Sequence, residues 1–290
     1  MPTDLTAIAR TRELWGHSQW RLEPICSGPM IDPISASAEA SGLAALESLE
    51  GALMDFVVEL VRLPSLPGDE GPTQDRVARA LGAMGLEVTI LPCPHEALAE
   101  HPAFCDDGFD PVGRVDVIGR LPGSGADRGH GSLVLNGHVD VVPTGDPGLW
   151  TEDPFSGARR DGRIFGRGSA DMKGGLAAGI FALRAILEAG VELSHDVVIQ
   201  SVVGEETGGL GTLTAIVHGH TADAALILEP TSLHACPVQS GALTFRVEVR
   251  GRATHAAAKN QGVSALEKAR IVLDAIDRLE VARHGAQDQP

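Results

Sequence analysis

The stretch "SLVLNGHVD", Ser132–Asp140, is a short apolar run that stops at a glycine and then sets a histidine and an aspartate one residue apart. An apolar run bounded by turn residues reads as a buried strand. Its polar pair, His138 and Asp140, would then stand at the strand's carboxyl end, where open α/β sheets build their ligand sites. Alone, the pair is equally a turn histidine held by a neighbouring carboxylate, so the rest of the chain has to decide.

Working outward, "LEVTIL", "VDVIG", "DVVIQSVV" and "AALILE" have the same character: short, apolar, rich in β-branched residues and bounded by glycine, proline or acids. Between and before them lie helical patterns. Leu46, Leu49, Leu53, Phe56 and Leu60 recur at three- and four-residue steps from Leu43 until Pro64 stops them. A second helix opens at Pro72 and closes at Gly85, "MKGGLAAGIFALRAILEAG" has helical composition and length, and another helix covers Gly209 to His218. Alternating strands and helices predict an α/β domain with a largely parallel, buried sheet.

Other acids fall at places equivalent to that of the opening pair. Asp171 lies between the glycine-rich turn "GRGSAD" and a helix, Glu205 and Glu206 follow "DVVIQSVVG", and Glu229 follows "AALIL". One histidine and several carboxylates at one sheet edge would repel and be costly to desolvate unless cations neutralise them. Mixed imidazole and carboxylate donors suit zinc, or manganese and cobalt, and a shared carboxylate permits a pair of ions. A phosphate-cradling loop fits poorly: "GRGSADMKGG" lacks the order G-x-x-x-x-G-K-[ST] and carries an acid where phosphate would sit.

Composition sets the limits. Among 290 residues, 39 acidic against 23 basic side chains give a net charge of -16, with no basic face for nucleic acid or an anionic membrane. The four cysteines, Cys26, Cys93, Cys105 and Cys236, form no CxxC pair, which argues against a zinc ribbon or a dense disulfide framework. Absence of a signal-like core and of any long apolar run leads to the expectation of a cytoplasmic protein without a membrane span. Residues 1–42 read as an extension with little structure.

Taken in order, "GHVDVVP", "GRGSADMKGG", "GEETGG" and "LEPT" resemble the family of aminoacylase, acetylornithine deacetylase, succinyl-diaminopimelate desuccinylase and carboxypeptidase G. The resemblance implies a three-layer αβα zinc-peptidase-like catalytic domain over residues 43–239. It implies two divalent ions, zinc first, with cobalt or manganese as alternatives. His138 and Glu229 would hold the first ion, Asp171 would bridge, and Glu206 would bind the second. Asp140 would orient the imidazole, Glu205 would be the general base, and the Asp171–Met172 peptide would be cis. The activity implied is hydrolysis of the amide bond of an N-acyl amino acid or small peptide. The alternatives are a non-catalytic homologue acting as a binding protein, which need not keep a base beside intact ligands, and a nucleotide-binding α/β protein.

After Glu229 the pattern changes: "ALTFRVEVRG" alternates as a half-exposed strand does, and an amphipathic helix carries Leu266, Leu273, Ile276 and Leu279. By the same resemblance, residues 240–290 begin an inserted α+β lid domain through which the family forms homodimers. In "GRATHAA", His255 would reach a partner's site and stabilise the oxyanion. The resemblance also places a further histidine ligand of the second ion downstream, so the chain is expected to be C-terminally truncated. The first-ion set, His138, Asp171 and Glu229, would be complete, and the second, Asp171 and Glu206, one ligand short.

Overall fold

Ser35 opens the first helix by accepting a hydrogen bond from the Ala38 N–H at 3.2 Å, satisfying one of the free donors of the first turn. The computed structural model describes residues 35–125, 131–237 and 246–287. Helix α1 runs Ala36–Arg62, so it starts seven residues before the Leu43 expected from the apolar period. The extra turns are alanine-rich, need no apolar partner and are fixed by the cap. Residues 1–34 of the expected extension lie outside the described residues.

Helices α2 (Gly71–Ala83), α4 (Lys173–Glu188) and α5 (Leu210–Val217) all end alike. Gly85, Gly190 and Gly219 take left-handed backbone at φ 84°, 68° and 80°. The next residue's N–H then reaches back to Leu81, Ile186 or Ala215, giving the carbonyls of the last turn their donors. A one-turn helix, α3 (His95–Leu98), lies between α2 and α4 in the chain.

Strands β1 (Glu87–Pro92), β2 (Val115–Leu121), β3 (Leu133–His138), β6 (Val197–Val202) and β7 (Ala224–Ile227) form one sheet in the order β1-β2-β6-β3-β7. The pairs β3–β6 and β3–β7 are parallel, whereas β1–β2 and β2–β6 are antiparallel. The sheet is therefore mixed, which corrects the largely parallel one expected. A parallel pair needs a crossover helix. Only one turn of helix lies between β1 and β2, and no helix is described between β2 and β3. A separate hairpin joins β4 (Ala158–Arg160) to β5 (Arg163–Phe165).

Alternation along the strands makes three layers. Val117, Leu135 and Ile199 pack on one face with Leu60, Val77, Leu81, Leu176 and Ile180 of α1, α2 and α4. Their neighbours Ile118, Val134 and Val198 pack on the other with Ala215 of α5. Each of these valine, leucine and isoleucine side chains contributes roughly 1.5–3 kcal/mol by leaving water. Gly175 and Gly179 on α4 admit the β7 extension, because a Cβ at Gly179 would stand 2.7 Å from Leu228 Cδ1 and one at Gly175 would meet the Leu228 carbonyl.

The chain divides into two compact units, one of them Asp32–Cys236 and the other containing Pro237–Pro290. In the second, Arg252 and Val263 form an isolated antiparallel bridge around a 3-10 segment, Ala256–Gln261, and α6 spans Ala265–Gln287. The expected strand over "ALTFRVEVRG" is not found in its described part: residues 246–250 have no ladder partner among the described residues. Residues 242–245 of it lie outside them. Among the described residues no helix is long and apolar enough to cross a membrane.

Candidate metal centre

Strands β3, β6 and β7 run in the same direction, so their carboxyl ends share one edge of the sheet. His138 is the last residue of β3, Glu205 and Glu206 follow β6, and Glu229 follows β7. Asp171 arrives from the turn before α4, where the Asp171–Met172 peptide is cis. That turn is anchored by Lys173, whose buried Nζ donates to the carbonyls of Leu60 and Leu63 at 2.9 and 2.8 Å. Burial lowers the Lys173 pKa to about 7. This lysine was not expected from the sequence; its signal was a charged residue opening an otherwise apolar helix.

The imidazole of His138 is fully buried. Its Nδ1 donates to the backbone carbonyl of Asp140 at 2.8 Å, and the Asp140 carboxylate stands 3.6 Å away. Asp140 thus orients the ring mainly through its main chain. Its carboxylate, also fully buried, accepts from the Glu205 N–H at 3.2 Å and the Glu206 N–H at 3.1 Å. One aspartate therefore ties the β3 end to the turn after β6.

With Nδ1 donating, the neutral ring leaves Nε2 as an acceptor. Among the described residues it faces carboxylate oxygens: Asp171 Oδ1 at 3.2 Å, Glu229 Oε1 at 3.6 Å and Glu205 Oε2 at 3.8 Å. Ligand atoms of His138, Glu205 and Glu229 lie within 4.8 Å of one another, as do those of His138, Asp171 and Glu206. These groupings share His138, whereas the expected pair of sets shared Asp171. The Asp171, Glu205 and Glu229 side chains are 56%, 43% and 32% exposed, so the cluster opens to solvent beyond the buried ring.

The electrostatics follow from this crowding. Two like charges about 4 Å apart at an effective dielectric of about 20 repel by about 4 kcal/mol. Burial, then the charges of Asp171 and Glu205, push Glu229 up to about 7 despite the attraction of His138. Burial likewise raises Glu205, against His138 and with Asp140 and Asp171 adding to it, and raises Glu206, with Asp171 adding. For His138, burial disfavours the charged ring, but Asp140, Glu205 and Glu229 more than offset it and its pKa is raised. An acceptor nitrogen ringed by carboxylates that resist ionising together fits a divalent cation: hard oxygen and borderline nitrogen donors match zinc, cobalt or manganese. His255 belongs to the other unit, where its Nδ1 accepts from the Ala257 N–H at 3.1 Å.

Residues 134–286 match the profile of Peptidase family M20/M25/M40, and the chain belongs to that family. The chain is 36% identical over 178 residues to the N-formyl-4-amino-5-aminomethyl-2-methylpyrimidine deformylase of Bacillus subtilis (strain 168), covering 58% of this chain and 41% of that protein. It is 35% identical over 210 residues to the succinyl-diaminopimelate desuccinylase of Gluconacetobacter diazotrophicus, covering 69% and 49%. The fold is similar to that of human carnosine dipeptidase 1, with a TM-score of 0.54 at 20% identity over 66% of this chain and 40% of that one. The chain spans less than half the length of these two curated relatives.

Proposed function

We propose that this chain carries the catalytic centre of a dinuclear metal-dependent amidohydrolase that releases an acyl group from an N-acyl amino acid or small peptide. The observation that carries this reading is the His138 Nε2, turned by its Nδ1 bond toward Asp171, Glu205 and Glu229. His138, Asp171 and Glu229 would hold one ion, and Asp171 and Glu206 the other. Bound divalent ions supply Lewis acidity and lower the pKa of water.

The rest is the work of side chains. Glu205, with its pKa raised by burial, takes a proton from the attacking water onto its carboxylate and later delivers it to the leaving amine nitrogen. The C–N bond breaks, a carboxylate and an amine leave, and Glu205 returns to its starting state. Asp140 holds both the His138 ring and the backbone of Glu205 in register. Residues 240–290 would begin a lid and dimerisation domain, a reading supported by the exposed apolar side chains Leu266, Ile271 and Leu279 of α6. From that domain His255 would reach a partner subunit's site and stabilise the oxyanion there.

The test is a hydrolysis panel of formyl, acetyl and succinyl amino acids and dipeptides on the intact, zinc- or cobalt-loaded protein and its Glu205→Gln variant. Metal content should be unchanged and turnover lower by ~10²–10⁴-fold, the range lost with a general base. A Glu205→Gln enzyme within a few-fold of the parent would remove Glu205 from this role.

A further inference from the structure

Arg114, immediately before β2, is 1% exposed, and a guanidinium so buried must be paired. Its Nε and Nη2 donate to Glu70 Oε1 at 3.0 and 2.7 Å, and its Nη1 donates to Asp107 Oδ2 at 2.5 Å. Both carboxylates are themselves 1% exposed, and both hold backbone: Glu70 accepts from the Gly68 N–H at 2.8 Å, Asp107 from the Phe109 N–H at 3.0 Å. Exchanging such a cluster for apolar side chains is often neutral or stabilising, so stability alone does not account for it.

What the cluster touches is more telling. Arg114 Nη2 lies under Gly204, where an added Cβ would stand 2.9 Å from it, and Gly204 adopts φ 69°. Asp107 Oδ2 also accepts from Thr207 Oγ1 at 3.1 Å. Gly204 and Thr207 bracket Glu205 and Glu206. The turn is thus packed against the cluster at Gly204, hydrogen-bonded to it at Thr207, and held by Asp140 at its middle.

We propose that the buried Arg114–Glu70–Asp107 cluster is a positioning device for the Gly204–Thr207 turn, fixing where Glu205 and Glu206 stand relative to His138. It rests on the roles given to those two glutamates above. Two adjacent acids facing Asp171 and Glu229 tend to splay the turn outward into water. A salt-bridged cluster that packs under Gly204 and accepts from Thr207 resists that movement without adding charge to the site itself.

Thr207→Val cuts the tie to Asp107 and leaves the buried charges paired, Thr207→Ser keeps the hydroxyl, and Arg114→Lys keeps the charge but loses the fork. In the intact protein, zinc titration of the apo form and steady-state kinetics should show Thr207→Val with affinity and kcat each lowered about 10-fold and KM within about two-fold, the lower end of what outlying partners of metal ligands cost. Arg114→Lys should lose up to about 100-fold. Thr207→Ser should match the parent. Parental zinc affinity and kcat in Thr207→Val and Arg114→Lys alike overturn the proposal, and with Glu205→Gln inactive they do so while the base assignment stands. If Glu205→Gln is active instead, the base assignment falls, and weaker zinc binding by Thr207→Val still upholds the positioning of Glu206.

Discussion

Asp171 Oδ1 sits 3.2 Å from His138 Nε2 on a side chain that is more than half exposed, so its place in the cluster owes nothing to packing. Asp171→Ala should leave the fold intact and remove both ions together, since a lost bridge leaves two cations with too few anionic ligands. Metal analysis after gel filtration checks this; two retained equivalents would contradict a bridging role. Asp171 and its partners were legible because each stands beside a short motif at a strand end or helix start. The contacts that support them were not. Asp140 meets Glu205 and Glu206 across 65 and 66 residues, and Arg114 meets Glu70 across 44, separations that leave no local pattern. An arginine or glutamate that folding will bury looks, in sequence, like one on the surface.

Strand β2 carries its own acid, Asp116, which is fully buried with Oδ1 accepting from the Val203 N–H at 3.0 Å and Oδ2 without a hydrogen-bond partner among the described residues. Burial, with Asp140 adding to it, raises its pKa from 3.8 to about 7. The folded state therefore favours the protonated carboxyl. Stability is undiminished below pH 3.8, falls as pH rises from there, and is lowered in full above about 7, by at most ~4 kcal/mol. Asp116→Asn, which keeps the acceptor for Val203 and carries no charge, should raise the melting temperature at pH 8 and gain progressively less toward pH 5. A gain independent of pH would show that the charge is not the cause. At this scale the existence of the strands was readable and their direction was not, because an apolar run has the same composition whichever way it points. The β4–β5 hairpin was missed, although Asp161-Gly162, with φ 51° and 70°, is the Asp-Gly pair that tight hairpins favour. Its flanking strands are three residues each and largely exposed, too short for alternation to register.

For the molecule as a whole, the sheet edge at the carboxyl ends of β3, β6 and β7 gathers one imidazole and five carboxylates, Asp140, Glu205, Glu206 and Glu229 from the strand ends and Asp171 from the turn before α4, in a chain of net charge -16. The fold accounts for how they meet, and under the proposed function a cation would account for why such a meeting is tolerated. The direct test is anomalous diffraction at the zinc absorption edge from crystals of the intact protein grown with zinc. The account predicts a strong peak within bonding distance of His138 Nε2, about 2.0–2.1 Å, with Asp171 and Glu229 carboxylate oxygens completing its protein ligands and a second peak on the Glu206 side of Asp171. No peak at His138, with its Nε2 hydrogen-bonded to Asp171 as an imidazolium, would contradict it.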